Sequence, residues 1–250
     1  MLKIIISGYG RMGKLVEKLA LSNDVEVLDI VDPNCLRCKS SILETNYRAA
    51  DVCIDFTIPS QAKNNIETCA RNKLSIVIGT TGWFDQLHSV KSLVIENNIG
   101  LVYASNFSFG INLFYKIVRT SAKLVNRAIQ YDPFGYELHH NGKIDSPSGT
   151  AKELSRIILE EIDRKTSCQF DKLNERIKNN EFHFSSTRAG NIPGTHVVGF
   201  DSFADTIELK HTARNREGFA LGAIKAAKWV IDKKGMFDFG EIFEEILTNE

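Results

Sequence analysis

Fifteen consecutive residues hold most of the reactive side chains a small enzyme needs: Glu137-Leu138-His139-His140-Asn141-Gly142-Lys143-Ile144-Asp145-Ser146-Pro147-Ser148-Gly149-Thr150-Ala151. His139, His140 and Lys143 are of the types that donate protons and positive charge. Ser148-Gly149-Thr150 precedes an apolar run and reads as a helix start, whose first N–H groups lack helical partners and attract anions. The combination suits a small polycarboxylate that must be both held and protonated. Neighbouring side chains on a strand point to opposite faces, so both imidazoles share a pocket only where the strand ends or bulges. Asn141-Gly142 is a turn signal that allows this, the alternative being one functional and one structural histidine. Lys143 facing water would be an ordinary solvated lysine; facing a carboxylate it is a clamp or proton donor. Asp145 is placed to orient it or to cap the helix. His196 and His211, with Arg188 and Arg214, could add positive charge, and strand alternation leaves open which of them touch substrate.

A second motif, Gly8-Tyr9-Gly10-Arg11-Met12-Gly13, follows a short apolar run and opens a helical pattern. G-x-G-x-x-G alone is weak, but this context is that of a dinucleotide loop. Its glycines permit a tight turn, close approach of a pyrophosphate and helix–strand packing, with the phosphates on the helix N-terminus. Asp32 stands 19 residues after Gly13, where a carboxylate accepts from an adenosine ribose. Arg11 is either a solvated first-turn residue or a cation near the pyrophosphate.

The elements that must carry these groups alternate in type. Apolar runs at Lys3–Ser7, Val25–Val31, Val52–Phe56, Leu74–Ile78 and Leu101–Ala104 predict buried parallel strands. Helical spacing over Arg11–Leu21, from Pro59 to Arg71 and from Phe84 to Asn97 fills the gaps. The expected fold is α/β: an N-terminal Rossmann-type doubly wound parallel sheet over residues 1–107. A long helix opening at Ser108-Phe109-Gly110 changes the pattern. A strand over Tyr136–His140, a helix from Gly149 to Asp163, a polar stretch to Asn180 and alternating segments at Glu181–Thr187, His196–Phe200 and Asp205–His211 follow. These predict an α+β substrate domain over 108–215 with a mostly antiparallel sheet. The apolar helix Phe219–Ile231 is expected to return, with the rest of 216–250, and complete the first domain.

The 250 residues suffice for one large domain or two modest ones. Lys plus Arg and Asp plus Glu are both 31, so no basic excess exists for general nucleic-acid or acidic-membrane binding. No apolar run approaches the ~20 residues of a membrane span, and Met1–Ser7 is too short for a signal peptide. A cytoplasmic location without membrane partners is the expectation. Five scattered cysteines include Cys35 and Cys38 as C-x-x-C in a loop, without the second pair a zinc site would need, and no metal is assigned.

These motifs resemble 4-hydroxy-tetrahydrodipicolinate reductase, also called dihydrodipicolinate reductase, a family of lysine and diaminopimelate biosynthesis. The resemblance covers nearly the whole chain. Beyond the two motifs above it rests on Ile54-Asp55-Phe56-Thr57, Gly79-Thr80-Thr81-Gly82, Ser105-Asn106-Phe107-Ser108, Arg188-x-Gly190-x-x-x-Gly194-x-His196 and His211-x-Ala213-x-x-Arg216-x-x-Phe219-Ala220-x-Gly222-Ala223. Ser105 stands where proline is usual in the family, and Ser146 where alanine is usual. The resemblance implies acid/base positions at His139 and Lys143, and substrate carboxylate binding by His140, Ser148, Gly149 and Thr150. It implies dinucleotide contacts at Gly8, Tyr9, Gly10, Arg11, Met12, Gly13, Asp32, Phe56, Gly79, Thr80, Thr81, Ala104, Ser105, Asn106, Phe107 and Arg216. It also implies a homotetramer assembled through the second domain.

The expected reaction is hydride transfer from NADH or NADPH to a cyclic, unsaturated dicarboxylate, with His139 or Lys143 delivering the proton. Asp32 favours a ribose 2′-OH and would repel a 2′-phosphate, whereas Arg37 and Lys39 follow closely, so use of both cofactors with a lean to NADH is expected. The alternatives are another two-domain amino-acid-type dehydrogenase, of the aspartate or homoserine kind, and a non-catalytic NAD(P)-sensing protein. Sensing alone gives no reason for the His139–Thr150 cluster.

Overall fold

Strand β1 (Leu2–Ser7) carries a run of three isoleucines because both of its faces are covered there: Ile4 and Ile6 enter one core, and Ile5 the other, while Lys3 is exposed. This computed structural model describes residues 1–248; Asn249 and Glu250, included above in the segment expected to complete the first domain, lie outside the described residues. After β1 come α1 (Arg11–Ala20), β2 (Val25–Val31), β3 (Val52–Asp55), α2 (Pro59–Arg71), β4 (Ser75–Ile78), α3 (Leu87–Asn97) and β5 (Gly100–Tyr103). Pro59 occupies the first turn of α2, where its missing N–H costs nothing.

The chain then forms a second compact unit, Gly110–Asn215, and returns from Arg216 to the first. The second unit contains α4 (Phe109–Arg127, its first residue in the first unit), β6 (Asp132–His139), α5 (Gly149–Glu161), β7 (Ser167–Gln169), β8 (Glu181–Arg188), β9 (Thr195–Asp201) and β10 (Thr206–Thr212). The returning segment is α6 (Glu217–Val230), β11 (Gly235–Asp238) and α7 (Phe239–Thr248).

The first unit's sheet has the order β11-β5-β4-β3-β1-β2, and every pairing in it is parallel. The chain winds outward one way to β2, then crosses back to β3, β4 and β5. The order therefore reverses at β1 and β3, the position where open α/β sheets bind ligands. One core joins this sheet to α1, α6 and α7 through Val16, Ala223, Ala227 and Phe243; the other joins it to α2 and α3 through Ile66, Val90 and Val94. Alanines along α6 let it lie close to its neighbours. The sixth strand, β11, had no counterpart among the strands expected from the sequence.

The second unit's sheet has the order β10-β9-β6-β8-β7. It is mixed rather than mostly antiparallel: β10–β9 and β9–β6 are antiparallel, but β6–β8 and β8–β7 are parallel. The expectation missed this because alternation marks a half-buried strand without giving its direction, and because β7 lies inside the polar stretch. Phe114 and Val118 of α4, Leu154 and Ile158 of α5, and Phe182, Phe184 and Phe200 of the sheet form its core. Among the described residues no helix is long and apolar enough to cross a membrane.

Candidate active site

Because the first sheet is parallel, the carboxyl ends of five strands lie along one edge. Gly8 follows β1, Asp32 follows β2, Phe56 follows β3, Gly79 follows β4 and Ala104 follows β5. Residues scattered over a hundred positions of sequence thus meet. Gly8 has φ +90°, a left-handed conformation, and a Cβ there would come within 2.5 Å of the Phe56 carbonyl oxygen. A Cβ on Gly13 would collide with the Gly8 carbonyl, so β1 and α1 pack only with glycine there. At Gly10, by contrast, a Cβ would meet nothing within 4 Å. Gly10 caps α1 without a side-chain hydrogen bond, and the first turn of α1 carries no acidic residue. Open space before uncapped N–H groups fits a dinucleotide's pyrophosphate.

Asp32 accepts from the Tyr9 amide at 3.0 Å and from the Asn34 amide at 2.9 Å, which fixes its carboxylate at the end of β2. The loop beyond it returns to the strand, with Asp32 N donating to the Lys39 carbonyl at 2.9 Å. Within that loop Cys35 and Cys38 are joined as a disulfide, a pairing the sequence did not assign. Arg37 and Lys39 are exposed on it, as is Arg11 in the first turn of α1.

A second carboxylate had no assigned role. Asp55 is fully buried and accepts from the Thr57 amide and hydroxyl, Asn65 Nδ2 and Thr80 Oγ1, the last two at 2.7 Å. It ties together the loops after β3 and β4, and so sets the positions of Phe56, Gly79 and Thr80. The Phe56 ring lies where a Gly79 side chain would otherwise be, and it packs edge-on against Phe107 at 6.5 Å. Thr81 and Ser105 are exposed. Asn106 Oδ1 accepts from the Ser108 amide at 2.8 Å, holding the turn before α4. Arg216 stands exposed before α6, and Met12 is half-buried on α1.

In the second unit the register of the sheet builds the site. Glu137 lies opposite Ser186 of β8 on one side and His196 of β9 on the other; His139 lies opposite Arg188. With a side-chain period of two, Glu137 and His139 share a face of β6. The Glu137 carboxylate is the hub. Oε1 accepts from the Ser148 amide at 3.0 Å, Ser186 Oγ at 2.8 Å and Arg188 at 3.2 Å. Oε2 accepts from the Ser148 hydroxyl and faces His196 Nε2 at 3.3 Å and His139 Nδ1 at 3.5 Å. These donors, chiefly His196 and the Ser148 hydroxyl, hold the Glu137 carboxyl far below its usual range despite burial.

His139 is 7% exposed, and its ring partner is His196, edge-on at 5.0 Å, rather than the adjacent His140. His140 is half-buried above the Gly142 turn. Burial pushes the His139 pKa down to about 4, against the opposing pull of Glu137, so its imidazole is neutral at pH 7. The sequence left the charge of His139 open; the positive side chains beside it are those of Lys143 and Arg188. Lys143 Nζ donates to both oxygens of Asp145, at 2.8 and 3.0 Å, which settles Asp145 as the residue that orients it. Ser148, not Asp145, caps α5, its Oγ accepting from the Ala151 amide at 3.1 Å. The first turn of α5 carries no acidic residue, and a Cβ on Gly149 would meet nothing within 4 Å. The side chains of Thr150 and Tyr115 are hydrogen-bonded. His211 pairs in register with His196 one strand further out, and Arg214 is exposed. Sequence reasoning gave Glu137 and Ser186 no role, although the i, i+2 spacing of Glu137 and His139 was a usable signal.

Acid should weaken this unit for two reasons of the same sign. Glu137 has a depressed pKa, so its contribution is present above about pH 4.3 and is lost as pH falls through the folded value. His139 is also depressed, so protonation favours the unfolded chain as pH falls from about 6.5 toward the folded value near 4. Urea unfolding between pH 8 and 4 should show stability falling on the acid side, and His139→Gln should flatten the portion between 6.5 and 4. An unchanged slope in that variant would mean that another group titrates.

A parallel sheet with a glycine-loop helix at its switch point, and beside it in sequence a sheet unit bearing imidazole, lysine and a helix start with no acidic residue, are the parts of a dinucleotide-dependent oxidoreductase. The chain's sequence places it more narrowly. Residues 2–107 match the family model for the dihydrodipicolinate reductase N-terminus, and residues 110–243 that for its C-terminus. The 4-hydroxy-tetrahydrodipicolinate reductase of Christiangramia forsetii is 35% identical over 99% of this chain and 100% of its own length. That of Methanoregula boonei is 34% identical over 97% of this chain and 98% of its own. A dipicolinate-bound dihydrodipicolinate reductase from Paenisporosarcina sp. TG-14 shares the fold, with a TM-score of 0.76 at 23% identity, covering 97% of this chain and 99% of that one. The chain belongs to the dihydrodipicolinate reductase family.

Proposed function

We propose that the chain reduces 4-hydroxy-tetrahydrodipicolinate to tetrahydrodipicolinate with NADH or NADPH, in lysine and diaminopimelate biosynthesis. The observation that carries this is the second unit's cluster: a buried Glu137 organising two histidines and Arg188 beside the open N-terminus of α5. Family membership supports the same reaction. In balance, substrate, hydride and one proton go to product and water.

The dinucleotide, when bound, supplies hydride from its nicotinamide ring. Gly8 to Gly13 hold its pyrophosphate through the α1 N–H groups, and Asp32 accepts from the adenosine ribose. Phe56, Gly79, Thr80, Thr81 and Ala104 to Phe107 border the nicotinamide end, braced by Asp55. Arg216 is assigned to the same cofactor. His140, Ser148, Gly149 and Thr150 hold a substrate carboxylate at the start of α5. Lys143, aimed by Asp145, delivers the proton or neutralises developing charge, while neutral His139 donates a hydrogen bond to the reacting ring.

Thr150→Val should weaken apparent substrate affinity by about 1–3 kcal/mol, the cost of a lost hydrogen bond to a charged group. Pyridine-2,6-dicarboxylate should compete with substrate, and less effectively in this variant. Steady-state inhibition measures both; equal inhibition of wild type and variant would remove Thr150 from the site.

Both cofactors should serve, with a modest lean to NADH. Asp32 repels a 2′-phosphate, whereas Arg37 and Lys39 are exposed and contribute only about 0–1 kcal/mol per pair, screened by salt. Asp32→Ala should shift kcat/KM toward NADPH, and added salt should penalise NADPH more than NADH. A wild-type preference for NADPH of about a hundredfold, some 2.7 kcal/mol, would show that the loop cations outweigh Asp32. The proposal extends to a cytoplasmic homotetramer. The exposed edge strand β10 in the second unit supports the assembly, with Ile207 47% exposed, and light scattering would measure the mass.

A further inference from the structure

Two features of the Glu137 cluster remain unexplained by carboxylate binding. His139 Nδ1 is buried and has no hydrogen-bond partner, a state that buried polar atoms rarely keep. It points nevertheless at Glu137 Oε2, 3.5 Å away, too long for a hydrogen bond and well placed for a shared third atom. The same oxygen faces His196 Nε2 at 3.3 Å. A tetrahedral Zn2+ with ligand bonds of about 2.0–2.1 Å sets its ligands about 3.3–3.4 Å apart. Both measured edges match that spacing, and the ligand atoms of all three side chains lie within 4.8 Å of one another. Occupancy requires one imidazole to turn until the remaining edge, now no longer than 4.8 Å, reaches the same spacing.

The surroundings are those of a metal ligand. Glu137 Oε1 is saturated by Ser148 N, Ser186 and Arg188, while Oε2 takes one hydrogen bond, from the Ser148 hydroxyl, and keeps a second lone pair toward the two imidazoles; Ser148 Oγ also lies 3.2 Å from His196 Nε2, a contact that coordination would replace. All three side chains are at least nine-tenths buried, with side-chain exposures of 0%, 9% and 5% for Glu137, His139 and His196. Two imidazoles and a carboxylate favour a borderline-soft divalent ion over Mg2+ or Ca2+.

We propose that Glu137 Oε2, His139 Nδ1 and His196 Nε2 form a binding site for a divalent transition ion of the Zn2+ class, whose occupancy withdraws His139 from substrate. Binding at Nε2 of His196 places that ring's proton on Nδ1, which likewise has no partner in the structure. The inhibitory half rests on the function proposed above; the binding half does not.

The test uses the tag-free full chain with Co2+ as the spectroscopic probe and Zn2+ as competitor. Wild type should bind one Co2+ per chain with visible ligand-field bands and no thiolate charge-transfer band, and Zn2+ should displace it. Glu137→Gln, His196→Asn and His139→Asn should each weaken binding by about 100-fold or more, no less than loss of an outer-shell partner. Cys168→Ser, at a half-buried thiol outside the cluster, should bind as wild type does. Zn2+ should inhibit reduction, with recovery on adding EDTA. Binding that survives the three cluster variants, disappears in Cys168→Ser, or shows thiolate bands would overturn the site. Binding without inhibition would overturn the regulatory half alone. Co2+ binding to a chain that reduces nothing would leave the site standing and remove the reductase function.

Discussion

His139→Gln and Lys143→Ala should each lower turnover by roughly 10²–10⁴-fold, the usual worth of a positioned acid or base. Affinity for NADH should change little, because both residues sit in the second unit and the glycine loop in the first. The two variants should differ in kind. Lys143→Ala removes charge and a proton donor, freeing Asp145 from its ion pair of 2.8 Å. His139→Gln keeps a neutral donor and should be the milder loss, in keeping with a histidine held neutral at pH 7 by burial. Steady-state kinetics with saturating cofactor, beside fluorescence titration of NADH, separates chemistry from binding. Near-full turnover in both variants would remove these residues from the reaction.

Glu137→Ala should be the most damaging change to stability in the second unit. The carboxylate is 1% exposed, and its loss leaves Arg188, Ser186, the Ser148 amide and His196 facing an empty acceptor position. Breaking a buried ion pair from one side costs about 3–5 kcal/mol, or roughly 6–20 °C in melting at about 2–4 °C per kcal/mol. Glu137→Gln keeps the shape and one acceptor oxygen, and should lose less. Differential scanning calorimetry of the two variants checks this. A Glu137→Ala midpoint within about 1 °C of wild type, inside the range of ordinary surface substitutions, would mean that the hub is not what holds the face of β6 together.

Much of the first unit was legible because its signals are local. Continuous apolar runs, a glycine loop and Pro59 at a helix start each report on a few neighbouring residues, and all five expected strands are present. The strand that escaped notice, β11, is four residues beginning with Gly235, too short to show a period. β7, three residues in a polar stretch, escaped for the same reason. The parallel pairing of β6 with β8 was hidden more deeply, since direction depends on the path of the chain and not on side-chain alternation.

The site shows the same division. His139, Lys143 and Ser148 to Thr150 stand together in sequence and could be read as a group. Their organiser left only one local trace, the i, i+2 spacing of Glu137 and His139; its role is hidden because Glu137 meets Ser186, Arg188 and His196 across strands some fifty residues away in sequence. Asp55 escaped likewise: a carboxylate inside an apolar strand gains meaning only when Asn65 and Thr80 are seen to donate to it. Burial, which sets the charge of His139, is a property of the packed sheet and has no sequence signature of its own.

Hydride transfer to a cyclic dicarboxylate, the reaction proposed for this chain, can be watched directly. The direct measurement generates that unstable substrate in place with the preceding synthase and follows the NADH or NADPH absorbance. Cofactor oxidation should need both the synthase and this chain, match substrate formed mole for mole, and be blocked by pyridine-2,6-dicarboxylate. A chain that binds NADH but leaves its absorbance unchanged while substrate accumulates would contradict the proposed reaction.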